Sequence, residues 1–142
     1  MEFLRKVDFD HLAATSERVS QTLIGPDSGA SNCSVNCIKT PPGDGSPAGL
    51  HKHMVDQLFY ILSGTMSLEI EGKRYEAGPG TLVVFPAGTP HRNWNGGREA
   101  TVHLAINSPL PDPPYPLRSR STELRSEFAG RDPRELGRRP VR

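Results

Sequence analysis

The chain has 142 residues, with 17 Lys and Arg against 16 Asp and Glu and a formal net charge of +1, so no overall field draws it to nucleic acid or to an anionic membrane. That length is one domain by prior, and it buries a core without needing a metal or a disulfide to fold. No apolar run approaches the roughly 20 residues that span a bilayer, and the opening MEFLRKVDFDHL lacks the apolar stretch of a secretory signal, so a cytoplasmic protein is the expectation.

In chain order, the first element is a short helix over DFDHLAATSERV with Asp8 or Asp10 as its cap. A strand from about Arg18 to Ile24 follows, and residues 1–30 together form an N-terminal extension. The next strand is expected at about 33–40. It carries Cys33 and Cys37, four residues apart on one face of a strand and too far along it to bridge, which makes them free thiols. Another strand spans about 57–63, with Leu58, Tyr60 and Leu62 facing outward. Met66, Leu68 and Ile70 then alternate with Ser67, Glu69 and Glu71, the period-2 pattern of a half-buried strand. Glu71-Gly72-Lys73 is a tight hairpin turn. Further strands are expected at about 81–85, 91–95 and 100–107.

Short strands at this spacing, broken by 14 Gly and 14 Pro, make an all-β sandwich or barrel. From Pro109 onward the composition changes: eight Arg stand against five acidic residues, and PLPDPPYPLRSRS is proline-rich. Residues 109–142 read as an extended arm or tail, outside a barrel over 31–108.

Two spaced strings dominate the barrel segment. The first is Gly45, His51, His53, Gln57 and Gly64; the second is Gly80, Pro86, Gly88, His91 and Asn95. Together they resemble the two motifs of the cupin family, in which the position of Gln57 is normally a Glu and the second string is matched without departure. The resemblance spans about residues 30–108. It implies a double-stranded β-helix, a jelly-roll barrel, and a site in which His51, His53, Gln57 and His91 hold one divalent transition metal, with Fe, Zn, Mn, Ni and Cu all open. It also implies pairing of two copies through sheet faces, and the outward set Leu58, Tyr60 and Leu62 offers such a face for a homodimer.

Strand parity supports the same site. Residues i and i+2 share a face, so His51 and His53 project together while Lys52 points away; Gln57, Phe59 and Ile61 form one set, and His91, Asn93 and Asn95 another. A lone histidine is usually a solvated or hydrogen-bonded residue, but three on this spacing favour a metal. Phe59, Ile61, Met66, Phe85 and Asn93 are the expected substrate-facing side chains, against the simpler reading that the apolar ones are barrel core. His103 alternates with Val102, Leu104 and Ile106, and faces either the cavity or solvent.

The glutamine has chemical consequences. An amide leaves the full charge of a divalent metal where a carboxylate would cancel half, which favours Lewis-acid over redox chemistry. Gln also has no accessible pKa near neutrality, so it cannot serve as a base. Candidates for that role are a metal-bound water, His103 and Tyr60. The reading that follows is a metal-dependent enzyme acting on a small, chelating, oxygenated and partly aromatic molecule by isomerase, lyase or cyclase chemistry. A dioxygenase is the alternative within enzymes, and a non-catalytic small-molecule-binding barrel the alternative outside them. Nothing in the sequence points to nucleic acid or membrane as a partner.

Overall fold

A computed structural model describes residues 3–28, 32–45 and 49–109. The arm or tail expected over 109–142 lies outside these residues, apart from Pro109. Among the described residues, one helix, α1 (Phe9–Ala14), precedes eight strands: β1 (Val19–Ile24), β2 (Ser34–Thr40), β3 (Asp56–Ser63), β4 (Met66–Ile70), β5 (Lys73–Ala77), β6 (Leu82–Phe85), β7 (His91–Trp94) and β8 (Thr101–Ser108). They form two antiparallel sheets, one in the order β1-β2-β8-β3-β6 and the other β5-β4-β7. This is the all-β double-stranded barrel expected from the sequence.

The helix is capped by Asp8, whose Oδ1 accepts from the backbone N–H of His11 at 2.9 Å. Its buried Leu12 and the contacts of Lys39 place it on the outer face of β1 and β2: the Lys39 ammonium donates to the carbonyls of Leu12 and, at 2.6 Å, of Thr15. Cys37 is buried on this covered part of the sheet, where burial pushes its thiol pKa up, and both cysteines are free. The β4–β5 hairpin turns at Glu71 and Gly72, both at positive φ (50° and 80°) as the tight turn requires, and the second place goes to the residue without a Cβ. The sequence reading assigned this turn but named no strand after it. Lys73–Ala77 is exposed at four of its five residues, so it carries little of the apolar alternation on which such an assignment depends.

The two sheets meet through Phe59, Ile61, Met66, Leu68, Ala77, Val83, Phe85 and Ala105, which form one buried cluster. Gln57, Phe59 and Ile61 all point into it from β3, as parity requires, and β8 contributes Thr101, His103 and Ala105. Register orders the interior along the strands. Gln57 pairs with Asn107 and Phe85 at one end; Ile61 pairs with His103 nearer the other.

Candidate metal centre

The site is built at the first of these ends, where β7 begins. His51 and His91 form an isolated antiparallel bridge: the N–H of His51 donates to the carbonyl of His91 at 3.0 Å, and the N–H of His91 donates to that of His51 at 2.8 Å. Gly45 makes this approach possible one bridge further along, against Trp94, because a Cβ on it would lie 2.8 Å from the Asn93 carbonyl oxygen. The His53 carbonyl accepts from Gly88 N–H at 3.0 Å, which ties it to the loop between β6 and β7. The ring centroids are 4.4 Å apart for His51 and His91, 4.9 Å for His51 and His53, and 5.3 Å for His53 and His91. One ring nitrogen from each lies within 4.8 Å of the other two.

The protonation of His91 follows from its neighbours. Its Nδ1 is 2.8 Å from the carbonyl oxygen of Thr89, an atom that can only accept, so Nδ1 carries the proton and Nε2 keeps its lone pair. That Nε2 is buried and meets no hydrogen-bonding group among the described residues. Burial pushes the His91 pKa down from 6.5 to about 4, against a smaller upward pull from the Thr89 carbonyl, so the ring is neutral at physiological pH. A neutral imidazole held by a carbonyl on one nitrogen and offering the other is the form in which histidine binds a metal. The three histidines therefore fit a transition metal on nitrogen ligands, and the Gln57 amide lies near them.

Gln57 lies on β3 opposite Phe85, whose ring stacks on His91 at 3.9 Å and 19°. Its Nε2 donates to Asn107 Oδ1 at 3.0 Å. Phe59 packs edge-on against Phe85 at 5.0 Å, so two aromatic rings back the cluster on its core side. Of the other side chains expected to face substrate, Asn93 is buried two residues beyond His91, whereas Ile61 and Met66, 0% and 1% exposed, are part of the packed core.

The structure corrects several expectations. His51 and His53 do not sit on a strand; only His51 makes a bridge, and convergence comes from that bridge and the loop contact instead of from i, i+2 alternation. Lys52, expected to point away from the site, is nevertheless buried. Tyr60 is 40% exposed on the outer face of β3, which removes it as a base at the cluster. His103 does face the interior, but its ring lies against Phe59 at 4.4 Å and its register partner is Ile61, two inward positions beyond Gln57. Val102, Leu104 and Ile106 are thus the outward set, the reverse of what apolarity alone would assign. Asn95 closes a corner of the chain, donating to the carbonyls of Thr40 and Glu99 at 3.0 and 2.7 Å. Asn107 and Ser34, which continue the row from Gln57, stand outside the set expected from the sequence; by parity Asn107 shares its face of β8 with His103 and Ala105.

Comparison with known proteins agrees with this architecture. Residues 37–107 match the pattern of the cupin domain. Among solved structures, the polyketide cyclase RemF from Streptomyces resistomycificus is similar at 28% identity and TM-score 0.60, over 69% of this chain and 68% of that one. The DMSP lyase DddQ from Ruegeria pomeroyi is similar at 22% identity and TM-score 0.57, over 78% and 54%. The cupin domain of an XRE family transcriptional regulator from Enterobacter cloacae gives 21% and 0.56, over 67% and 98%. The last two likenesses bear on the fold alone. No curated protein matches the chain.

Proposed function

Because this chain belongs to the cupin family and brings three imidazoles and a neutral amide to one end of its barrel, we propose that it is a metal-dependent enzyme acting on a small, oxygenated, chelating molecule by isomerase, lyase or cyclase chemistry. The observation that carries the reading is the state of His91: neutral, fixed at Nδ1 by the Thr89 carbonyl, with a buried Nε2 beside the nitrogens of His51 and His53. His51, His53, His91 and Gln57 would hold the ion. A divalent cation, when bound, supplies Lewis-acid polarisation of a substrate oxygen and stabilises charge that develops there.

The chain's own residues shape the rest. Phe85, stacked on His91, and Phe59 behind it are buried in the core, and the apolar surroundings they give this end suit a partly aromatic or otherwise apolar substrate. Asn93 adds an amide on the same inner face as His91. None of the four proposed ligands is a carboxylate, and neither Tyr60 nor His103 contacts the cluster, so these two side chains do not carry the proton. The likeness to a polyketide cyclase supports the non-oxidative reading. Because one fold hosts many reactions, that support concerns reaction class only.

The test begins with metal analysis of protein purified without chelator. Near one equivalent of a transition metal is expected, and His53→Ala and His91→Ala should abolish it; metal retained by both variants would overturn the site. Enolisable and chelating substrates are then screened with and without oxygen. Turnover that persists without oxygen supports the proposal, turnover that requires it makes the protein a dioxygenase, and tight substrate binding with no turnover makes it a binding barrel.

The same reading extends to a homodimer. Outward positions on β3, β6 and β8 carry Leu58, Tyr60, Leu62, Leu82, Val84 and Ile106, with Tyr60, Leu82 and Val84 at 40%, 55% and 48% exposure. An uncharged patch can meet its own copy without like-charge repulsion, as a two-fold interface demands. The outer face of the other sheet is different, with Arg92 paired to Glu69 at 2.6 Å. Light scattering should give twice the chain mass for the native protein and the monomer mass for Val84→Arg; a monomeric native protein overturns the proposal.

A further inference from the structure

Four residues line up across the inner face of the larger sheet at the metal end. Phe85 on β6 is opposite Gln57 on β3, Gln57 is opposite Asn107 on β8, and Asn107 is opposite Ser34 on β2. The last three are joined by hydrogen bonds: Gln57 Nε2 donates to Asn107 Oδ1 at 3.0 Å, and Asn107 Nδ2 donates to Ser34 Oγ at 3.3 Å. Gln57 and Ser34 are 9% and 6% exposed, so little water competes for these bonds.

An amide has two unlike ends, and rotation by half a turn exchanges them at small steric cost. What decides between the two orientations of Gln57 is the group it faces. Asn107 presents a carbonyl oxygen, which can only accept, and this draws the NH2 half of Gln57 and turns the carbonyl half of its amide the other way. The amide of Asn107 reaches Ser34 in turn, its own NH2 donating to the hydroxyl. We propose that Asn107 is a positioning residue: through Gln57 it dictates that an oxygen, and not an NH2 group, is what position 57 offers to the three histidines.

This inference rests on the reading of Gln57 as a fourth ligand, and it uses the donor that an amide has at that position. A carboxylate has no hydrogen to give to Asn107 Oδ1. Gln57→Glu would set two acceptors face to face unless Asn107 turned over, in which case its NH2 would donate to the carboxylate and its carbonyl would accept from the Ser34 hydroxyl. The NH2 group of Gln57 and the carbonyl that Asn107 turns toward it are therefore a matched donor and acceptor.

The experiment is titration of the metal-free protein with Co2+, followed by visible absorption, in the native chain, Gln57→Ala, Asn107→Ala, Asn107→Asp and the double variant Gln57→Ala/Asn107→Ala. Asn107→Ala is expected to weaken Co2+ binding by about tenfold to a hundredfold, the usual cost of losing a group that orients a ligand, and to shift the Co2+ spectrum toward that of Gln57→Ala. Asn107→Asp keeps an acceptor facing the amide and should retain the native spectrum. The double variant should bind no more weakly than Gln57→Ala alone, since Asn107 then has nothing to orient. The inference is overturned if Asn107→Ala keeps the native spectrum and affinity while Gln57→Ala changes both, or if the two losses simply add. If Asn107→Ala does not fold, Asn107→Ser carries the same comparison. A native chain that takes up no Co2+, or a Gln57→Ala variant indistinguishable from it, defeats the four-ligand reading itself, which is a different outcome.

Discussion

Each end of the barrel buries a histidine, and desolvation pushes both His91 and His103 down to about 4. Their surroundings otherwise have little in common. At the metal end His91 has a carbonyl on one nitrogen and two other imidazoles beside it. At the far end both nitrogens of His103 are buried with no hydrogen-bonding partner among the described residues, as are Thr101 Oγ1 and Arg18 Nε. Arg18, ahead of β1, also disfavours a charge on His103. Three ring contacts separate the two ends: His91 to Phe85, Phe85 to Phe59 and Phe59 to His103, at 3.9, 5.0 and 4.4 Å. A depressed pKa therefore marks burial at both ends, whereas among the described residues a cluster of ring nitrogens stands at only one. The distinguishing feature is what the second nitrogen is given to do.

That contrast is sharpest in metal binding. His91→Ala should weaken Co2+ binding by more than about a hundredfold, since a direct ligand matters more than the groups that orient it, whereas His103→Leu should leave the affinity within about twofold; calorimetric titration of both variants checks this. An equal loss in the two would erase the distinction between the ends.

The next effect is in pH dependence. His103 has a folded pKa near 4 against 6.5 when free, so between these values the unfolded chain binds a proton that the folded chain does not. Stability is then highest above pH 6.5 and falls as pH drops toward 4, by about 3 kcal/mol at most from this one group. Urea unfolding at pH 7 and pH 4.5 should show a smaller difference between the two pH values for His103→Leu than for the native chain, and an unchanged difference would mean that His103 is solvated.

Smaller again is the effect at fixed pH. Unpartnered buried polar atoms each cost roughly 1–3 kcal/mol relative to apolar replacements, so His103→Leu should raise stability at pH 7 by about 1–2 kcal/mol. Thr101→Val, which removes one hydroxyl at the same shape, should add about 0.5–1 kcal/mol. The corresponding change at the metal end, Ser34→Ala, should cost about 0.5–1 kcal/mol, because there the hydroxyl is in use. Thermal melts read all three signs, and destabilisation by both far-end substitutions would show that their polar atoms are satisfied.

Much of this was legible in the chain. The spacing of His51, His53 and His91 marked the histidine cluster, with Gln57 near it, and alternation along Asp56–Ser63 and Met66–Ile70 gave the inward faces. The Glu71-Gly72 turn was readable because so few residues suit its backbone. What failed to show has physical reasons. Lys73–Ala77 pairs only with β4, at the edge of its sheet, and buries too little to leave an apolar period. The inner face of β8 could not be chosen from Thr101–Ser108, because an apolar outer face is as regular in sequence as an apolar inner one.

The sequence by itself determined the three clustered histidines, most of the strands and the absence of a carboxylate among the proposed ligands, since these depend on residue type and on spacings of a few positions. Tertiary structure alone decided that His51 pairs with His91, that Phe85 lies on His91, that His103 stands at the other end, and that Asn107 turns its carbonyl toward Gln57. Each of these is a cross-strand relation between segments far apart in the chain. Register fixes them, and register is settled by which faces of the whole barrel are buried together.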